Sequence, residues 1–389
     1  MRRPRRAGNA IGHVTGRVMG QVTGTAIAAA LAVVLPLPLA TSIAARAADA
    51  PAWRVVASYH YGASGNASGY SAVIAPAPGD AWVFGGTNPG APGSPTAAHW
   101  GGRRWRHVAL PAGLSGFIIA ASASSPGNIW AVSYFGRYVL HWNGTRWAVA
   151  KRWHAGKATS VAAVSRSDVW VFGGGSSLGT WHYNGRTWAK ITGRAHAVYR
   201  ASALSRSDIW AVARRSRRAV EHYNGGGWRA VPTGSALART TPYDILAVSP
   251  HSIWIAGVSA GGRLVLVHGN GAYWTRFVAP WQMRPERFAS DGSGGIWIPA
   301  VTGAQTWITH LSWSGQWTRS AVDAGLGSGV GDLALIPGTT SLWASGGFLT
   351  KAGGDAAIWA YGPVTARMHA VAGSRLAKRR ARTGADRRQ

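Results

Sequence analysis

Apolar and polar residues alternate along this chain in short runs, and one such run keeps returning. It reads "DAWVFG" (80–85), "NIWAVS" (128–133), "DVWVFG" (168–173), "DIWAVA" (208–213), "SIWIAG" (252–257), "GIWIPA" (295–300) and "SLWASG" (341–346). Alternation with a period of two, confined to about six residues and bounded by Gly, Asn, Asp and Ser, predicts short strands rather than helices. The tryptophans of these runs, Trp82, Trp130, Trp170, Trp210, Trp254, Trp297 and Trp343, follow one another at intervals of 40–48 residues. That interval is the length of a four-stranded propeller blade.

A second recurring pattern is a polar turn between two aromatic flanks. It appears as "HWGGRRW" (99–105), "HWNGTRW" (141–147), "HYNGRTW" (182–188) and "HYNGGGW" (222–228). Asn-Gly between apolar runs predicts a two-residue type I′ hairpin. The closing tryptophans Trp105, Trp147, Trp188, Trp228, Trp274 and Trp317 make six, and the seventh stands at the other end of the chain, as Trp53 in "AWRVV" (52–56). The last repeat stops after "AAIWAYGP" (356–363), without a closing strand. The expected fold is therefore all-β: a seven-bladed β-propeller with four antiparallel strands per blade, A to D from the channel outwards. The N-terminal strand completes the last blade, a closure that removes open sheet edges. "SRSD" (165–168 and 205–208) is expected to form the A–B turn, with its Asp bonding nearby backbone N–H groups.

These strings carry a resemblance. "AVSRSDVWVFG…HYNGRTW" resembles the Trp-rich repeat of secreted bacterial β-propellers of the DVWAVG…HWNG…W type, over about residues 51–362. The resemblance implies the architecture and carries little about activity. Likeness to Kelch and galactose-oxidase-like propellers extends to the fold only.

Composition sharpens this picture. With 53 Gly, 22 Trp and 14% charged residues, the chain suits many short strands and tight turns. There is no cysteine, which excludes disulfides, thiolate zinc sites, cysteine nucleophiles and the oxidase chemistry of galactose-oxidase-like propellers. Residues 1–47 look like an export signal. Arg2, Arg3, Arg5, Arg6 and Arg17 precede the apolar run 26–40, and "ARA" (45–47) offers a cleavage site before Ala48. Pro36 and Pro38 interrupt a run already short for spanning, which weighs against an uncleaved anchor. The general secretory route is favoured over the twin-arginine route because the arginine pairs are followed by "AGNA" rather than an apolar run. The expected organisation is a signal peptide (1–47), the propeller (48–362) and a basic, disordered tail (363–389), in a monomer that is secreted or associated with the cell envelope.

The formal net charge of +29 favours anionic partners such as acidic wall polymers, with nucleic acid bound only non-specifically. The same charge also fits a genome that writes arginine at neutral positions. The histidines His99, His141, His182, His222, His268 and His310 occupy one column, with Trp359 in the seventh place. One residue per blade is spread around a ring, whereas metal ligands must converge within about 2 Å of one ion. These histidines are therefore read as structural, each serving its own blade, and no metal or cofactor is expected. Asp80, Asp168 and Asp208 are read as turn residues. Asp244, Asp291 and Asp332 lie on or near inner strands, where they can approach the channel, but no carboxylate pair of the kind glycosidases need is evident.

The connections between repeats vary, and function gathers on such loops. Under the blade assignment the B–C and D–A connections share one face. The candidate ligand-binding residues there are Tyr59, His60, Tyr61, Phe135, Arg137, Trp153, His154, Arg214, Arg215, Arg217, Arg218, Trp281 and Arg284. Aromatics stack on sugars or bases, and arginines neutralise anionic groups. The expected function is an exported, non-enzymatic binding or scaffold protein for an anionic or carbohydrate polymer or a protein at the cell envelope. The alternative is a carbohydrate-active hydrolase or lyase with its site at the channel mouth.

Overall fold

The structure, a computed structural model, describes residues 52–61, 68–87, 93–174, 177–191, 198–213, 219–303, 305–322, 329–350 and 353–364. All of them belong to the compact unit Asp49–Gln389. The expected export segment, the arginines Arg214, Arg215, Arg217 and Arg218, and the tail from residue 365 lie outside the described residues. Among the described residues no helix is long and apolar enough to cross a membrane.

Seven antiparallel sheets account for the fold, with one short 3₁₀ turn, Gly234–Leu237, between the fourth and fifth. Blade 1 runs from its inner strand A (Ser68–Ala77) through B (Asp80–Thr87) and C (Pro95–Trp100) to D (Trp105–His107). Blades 2–5 repeat this order along the chain. Blade 7 takes A, B and C from Gly329–Leu335, Leu342–Thr350 and Gly353–Tyr361, and its D strand is the N-terminal Trp53–Tyr59. Trp53 pairs with Tyr361, and Val55 with Trp359, so the first strand closes the ring as the offset of the two tryptophan columns predicts.

Tryptophan columns hold neighbouring blades together. In six of the seven blade junctions an aromatic D-strand tryptophan meets the B-strand tryptophan of the preceding blade edge to face. The pairs are Trp147–Trp82, Trp188–Trp130, Trp228–Trp170, Trp274–Trp210, Trp53–Trp297 and Trp105–Trp343, with centroids 5.1–6.2 Å apart. At the remaining junction Trp317 packs into the same cluster as Trp254. Edge-to-face geometry sets a positive ring edge against a negative face, and it adds to the large area each indole buries.

Blade 6 departs from the pattern. Its inner strand is split into Arg284–Pro285 and Ala289–Ser290, both paired with the B strand Ile296–Thr302. Backbone donors in the gap serve the flanking blades instead. The N–H of Arg287 bonds to the Gly331 carbonyl, and that of Phe288 to Asp244 Oδ2.

Two local expectations are corrected. The Asn-Gly tips are four-residue loops, not two-residue type I′ turns, because Trp142 already pairs with Trp147 across residues 143–146. Gly144, Gly185 and Gly225 carry the positive φ, at 99°, 92° and 89°, while the preceding Asn residues do not. Asn143 instead accepts the N–H groups of Thr145 and Arg146 on its side-chain oxygen, and Asn184 does the same for Arg186 and Thr187. The aspartates of the repeat are the second correction. Asp168 Oδ1 accepts from Trp170 Nε1 at 2.9 Å and lies 3.0 Å from His182 Nε2, so its role is a bridge between side chains.

Candidate binding surfaces

The histidine column is built from the B and C strands, which place each His beside the repeat tryptophan. Six His rings stack on Trp82, Trp130, Trp170, Trp210, Trp254 and Trp297 at 4.1–4.2 Å. In blades 3 and 4 an aspartate joins the His Nε2 and the Trp Nε1. Asn128 does so in blade 2, Ser252 bonds His268, and Asp291 bonds His310 at 2.9 Å. In blade 1 the Asp80–His99 pair is longer, at 3.3 Å. Each His thus serves its own blade. Where the partner is uncharged, burial holds His141 and His268 below the usual histidine range. Burial works against the Asp291 carboxylate, but hydrogen bonds from His310 and from the N–H groups of Ser293 and Gly295 hold it below the usual range.

The channel carries a second network, drawn from the inner strands. Ser122 Oγ accepts the Ala163 N–H, Ser160 Oγ that of Ala201, and Ser202 Oγ that of Ala247, each stitching one blade to the next. Two aspartates take this role in the later blades. Asp332 Oδ2 accepts the Val73 N–H at 3.0 Å, joining blade 7 to blade 1, and Asp244 Oδ2 accepts that of Phe288 at 3.4 Å. Arg287 crosses the channel, with Nη1 3.2 Å from Asp332 Oδ2 and Nη2 donating to the Ile119 carbonyl on the inner strand of blade 2. Arg200 donates to the Thr159 carbonyl at 2.7 Å. Burial pushes Asp244 up to about 6, against the pull of Arg200 and Arg287, and also raises Asp332. Burial and the neighbouring Arg287 bring Arg200 down to about 10. The inner-strand position of Asp244 and Asp332 therefore agrees with the sequence reading, but their lone pairs are engaged by backbone and arginine. Among the described residues no three His, Asp or Glu side chains gather as a metal site would require.

The B–C and D–A connections do share one face, and the structure sorts its candidate residues. Phe135 joins Phe117 and Tyr134 in a mutually packed aromatic trio, with centroids 4.8–5.9 Å apart. Lys157 Nζ lies 4.9 and 4.8 Å from the Tyr134 and Phe135 rings, and all three rings stay partly exposed. Arg137 and His154 meet beside them, Nη1 of the former donating to the carbonyl of the latter at 2.8 Å. Tyr59 and Tyr61 stack, and the Tyr61 hydroxyl bonds that of Tyr70 at 2.6 Å. Desolvation raises Tyr61 to about 12, so it stays a neutral phenol. His60 bonds Asp355, and Arg284 bonds Glu286. Trp281 shares the Arg319 guanidinium with Trp307. Trp153 belongs to the core between blades 2 and 3, at 8% exposure, and its ring is no part of the open face.

Phe117, Tyr134 and Lys157 escaped the sequence reading, although Tyr134 adjoins Phe135. Arg200 and Arg287 escaped it too. For Arg200 the signal is a charged residue at an inner-strand register where blades 1–3 place Ala72, Ala120 and Ser160, and for Arg287 it is a charge in the gap of a split inner strand.

No known protein family matches the chain, and no curated protein matches it in sequence. Solved structures do match in fold. YCF48 bound to a D1 peptide superposes with a TM-score of 0.55 at 13% identity, covering 78% of this chain and 98% of that one. A streptogramin B lyase superposes with a TM-score of 0.58 at 12% identity, covering 79% and 97%. The WD40 repeats of RRP9 do so with 0.58 at 12% identity, covering 80% and 98%. Together with the seven closed sheets, these likenesses establish a β-propeller.

Proposed function

We propose that this chain is an exported, non-enzymatic binding protein that acts at the cell envelope. It engages a carbohydrate polymer across the B–C/D–A face. The observation that carries this reading is the Phe117–Tyr134–Phe135 trio with Lys157 above it: partly exposed rings beside fixed cations, at the rim of a channel that Arg287 crosses. A ring face offers a stacking platform to a sugar, and a cation beside it takes up an acidic substituent. Similar folds serve recognition, as the peptide complex of YCF48 illustrates for that protein.

The test is binding of the protein to envelope polysaccharides over a salt series, comparing wild type with the Tyr134→Ala/Phe135→Ala double variant. The reading expects saturable binding that survives moderate salt and falls at least about tenfold in the variant, a loss of about 1.4 kcal/mol. Binding that disappears with salt and ignores the substitutions would refute it.

One observation favours a second reading. Asp244 sits in the channel, and burial pushes it up to about 6, a range that suits a general acid. A lyase or hydrolase reading would require turnover that Asp244→Asn abolishes.

A further inference from the structure

The A–B turns and C–D hairpins share the opposite face, where charge is distributed unevenly. Exposed arginines occupy this face on four consecutive blades: Arg103 and Arg104 on blade 1, Arg146 on blade 2, Arg166 and Arg186 on blade 3, and Arg206 on blade 4. The corresponding turns of blades 5–7, such as "SPHS" (249–252), "SWSGQW" (312–317) and "IPGTTS" (336–341), contain neither arginine nor lysine. Among the described turns, those of blades 1–4 form a cationic arc and those of blades 5–7 carry no arginine or lysine.

Among the described residues, each carboxylate of this face is paired with a histidine. The repeat acids Asp80 and Asp208 lie against His99 and His222, and Asp168 lies against His182, with Arg206 Nε 3.9 Å from its second oxygen. Arg166 leans back over blade 2, donating to the Gly127 carbonyl at 3.3 Å. Its charge reaches His141, one cause of that ring's lowered pKa. Two recesses punctuate the arc. One, of about 270 Å³, is lined by His99, Gly101, Arg103, Arg104 and Arg106. The other, of about 200 Å³, lies between blades 3 and 4, with Arg206 and Tyr223 on its wall together with the paired Asp168 and His182. Each has the volume of one small charged group with part of its linker.

We infer that this arc is a track for a linear phosphodiester polymer, of the poly(glycerol phosphate) kind. The assignment rests on the reading of the chain as a binding propeller and places a second ligand surface on its other face. Three features select this partner. All six cations are arginine, whose planar fork pairs with phosphate oxygens through two hydrogen bonds at once. They recur blade by blade, which suits a ligand whose charges repeat along a chain. A folded protein partner would need an apolar, aromatic centre. Among the described residues the exposed large apolar side chains are Val55, Val248, Tyr273, Val278, Trp313 and Leu349, none of them on blades 1–4. The exposed aromatics of this face, Tyr273 and Trp313, stand on hairpins of blades 5 and 6, outside the arc, and the arc itself offers only the partly exposed Trp142, Tyr183 and Tyr223 for stacking the bases of a single-stranded nucleic acid.

The experiment measures the affinity of the full chain for poly(glycerol phosphate), polygalacturonate and single-stranded DNA at low and moderate salt. Wild type is compared with three variants: Arg103→Gln/Arg104→Gln/Arg146→Gln/Arg186→Gln on the arc, Arg379→Gln/Arg380→Gln/Arg382→Gln in the tail, and Tyr134→Ala/Phe135→Ala on the other face. These four arc arginines are exposed, so the substitution is expected to leave the thermal midpoint within about 2 °C of wild type, as surface changes do. The arc variant is expected to lose at least about tenfold in affinity for poly(glycerol phosphate), and to show a shallower dependence on salt. The other two variants are expected to lose less than threefold, and wild type is expected to prefer the phosphate polymer over the other two probes.

Equal affinity in the arc variant would overturn the inference, as would loss confined to the tail variant or tighter binding of polygalacturonate or DNA. Loss confined to Tyr134→Ala/Phe135→Ala would overturn the arc while leaving a binding propeller. Absence of wild-type binding to the phosphate polymer, with polysaccharide still bound, would do the same.

Discussion

Asp208 shows how one side chain can answer two demands in this fold. Its Oδ1 accepts from the Trp210 indole at 2.7 Å and lies 2.8 Å from His222 Nε2, so the indole N–H is satisfied and the histidine is fixed over the ring. A buried donor left without a partner costs about 1–3 kcal/mol, which is a reason for blades 2–4 to carry Asn128, Asp168 and Asp208 there. Asp244 has the opposite character. Its folded pKa of about 6 lies above the ordinary aspartate value, so the folded protein binds a proton more tightly than the unfolded chain does. That contribution to stability is fully present below about pH 4 and is lost as pH rises through 6. Asp244→Asn should therefore melt close to wild type at pH 4 and higher than wild type at pH 7.5, by at most about 3 kcal/mol. A thermal melt series from pH 4 to 8 checks the crossover, and a variant less stable than wild type at pH 7.5 contradicts it.

Among the elements, the closing strand Trp53–Tyr59 is the most exposed to test. It covers the edge of Gly353–Tyr361 and inserts Trp53 edge-on against Trp297 and beside Tyr361. Removing residues 52–59 uncovers a strand edge and takes a large indole from the blade 6–7 junction. Truncating a fully buried aromatic costs about 3–5 kcal/mol, an upper bound for the partly buried Trp53, and an open edge pairs with other chains. The shortened protein should melt well below wild type and form dimers or larger species in analytical ultracentrifugation. An unchanged midpoint with a monomeric profile would mean that the strand does not close the ring.

The strands and this closure were legible in the sequence because every blade repeats the same demand for alternation and tryptophan. The candidate sites were less so. Phe135 stood out in a variable loop, but its partners Phe117 and Lys157 come from two other connections. Trp153 looked like a loop aromatic, yet the backbone bond from its N–H to the Arg137 carbonyl turns the chain back and seats the ring in the core. Arg287 and Asp332 are 45 residues apart and on different blades, so only the ring brings them together.

At the scale of the whole propeller unit, two chemically different faces flank a channel spanned by Arg287. One face carries partly exposed aromatics with lysine and arginine at the channel rim, and the other carries an arc of arginines over four blades. We propose that recognition occurs at the aromatic rim. Hydrogen–deuterium exchange of the full chain, with and without a saturating envelope polysaccharide, tests it most directly. The account predicts slowed exchange in the backbone of residues 116–118, 134–137 and 154–157, with the inner strands unchanged. Protection confined to other segments, or none under saturating polysaccharide, would contradict it.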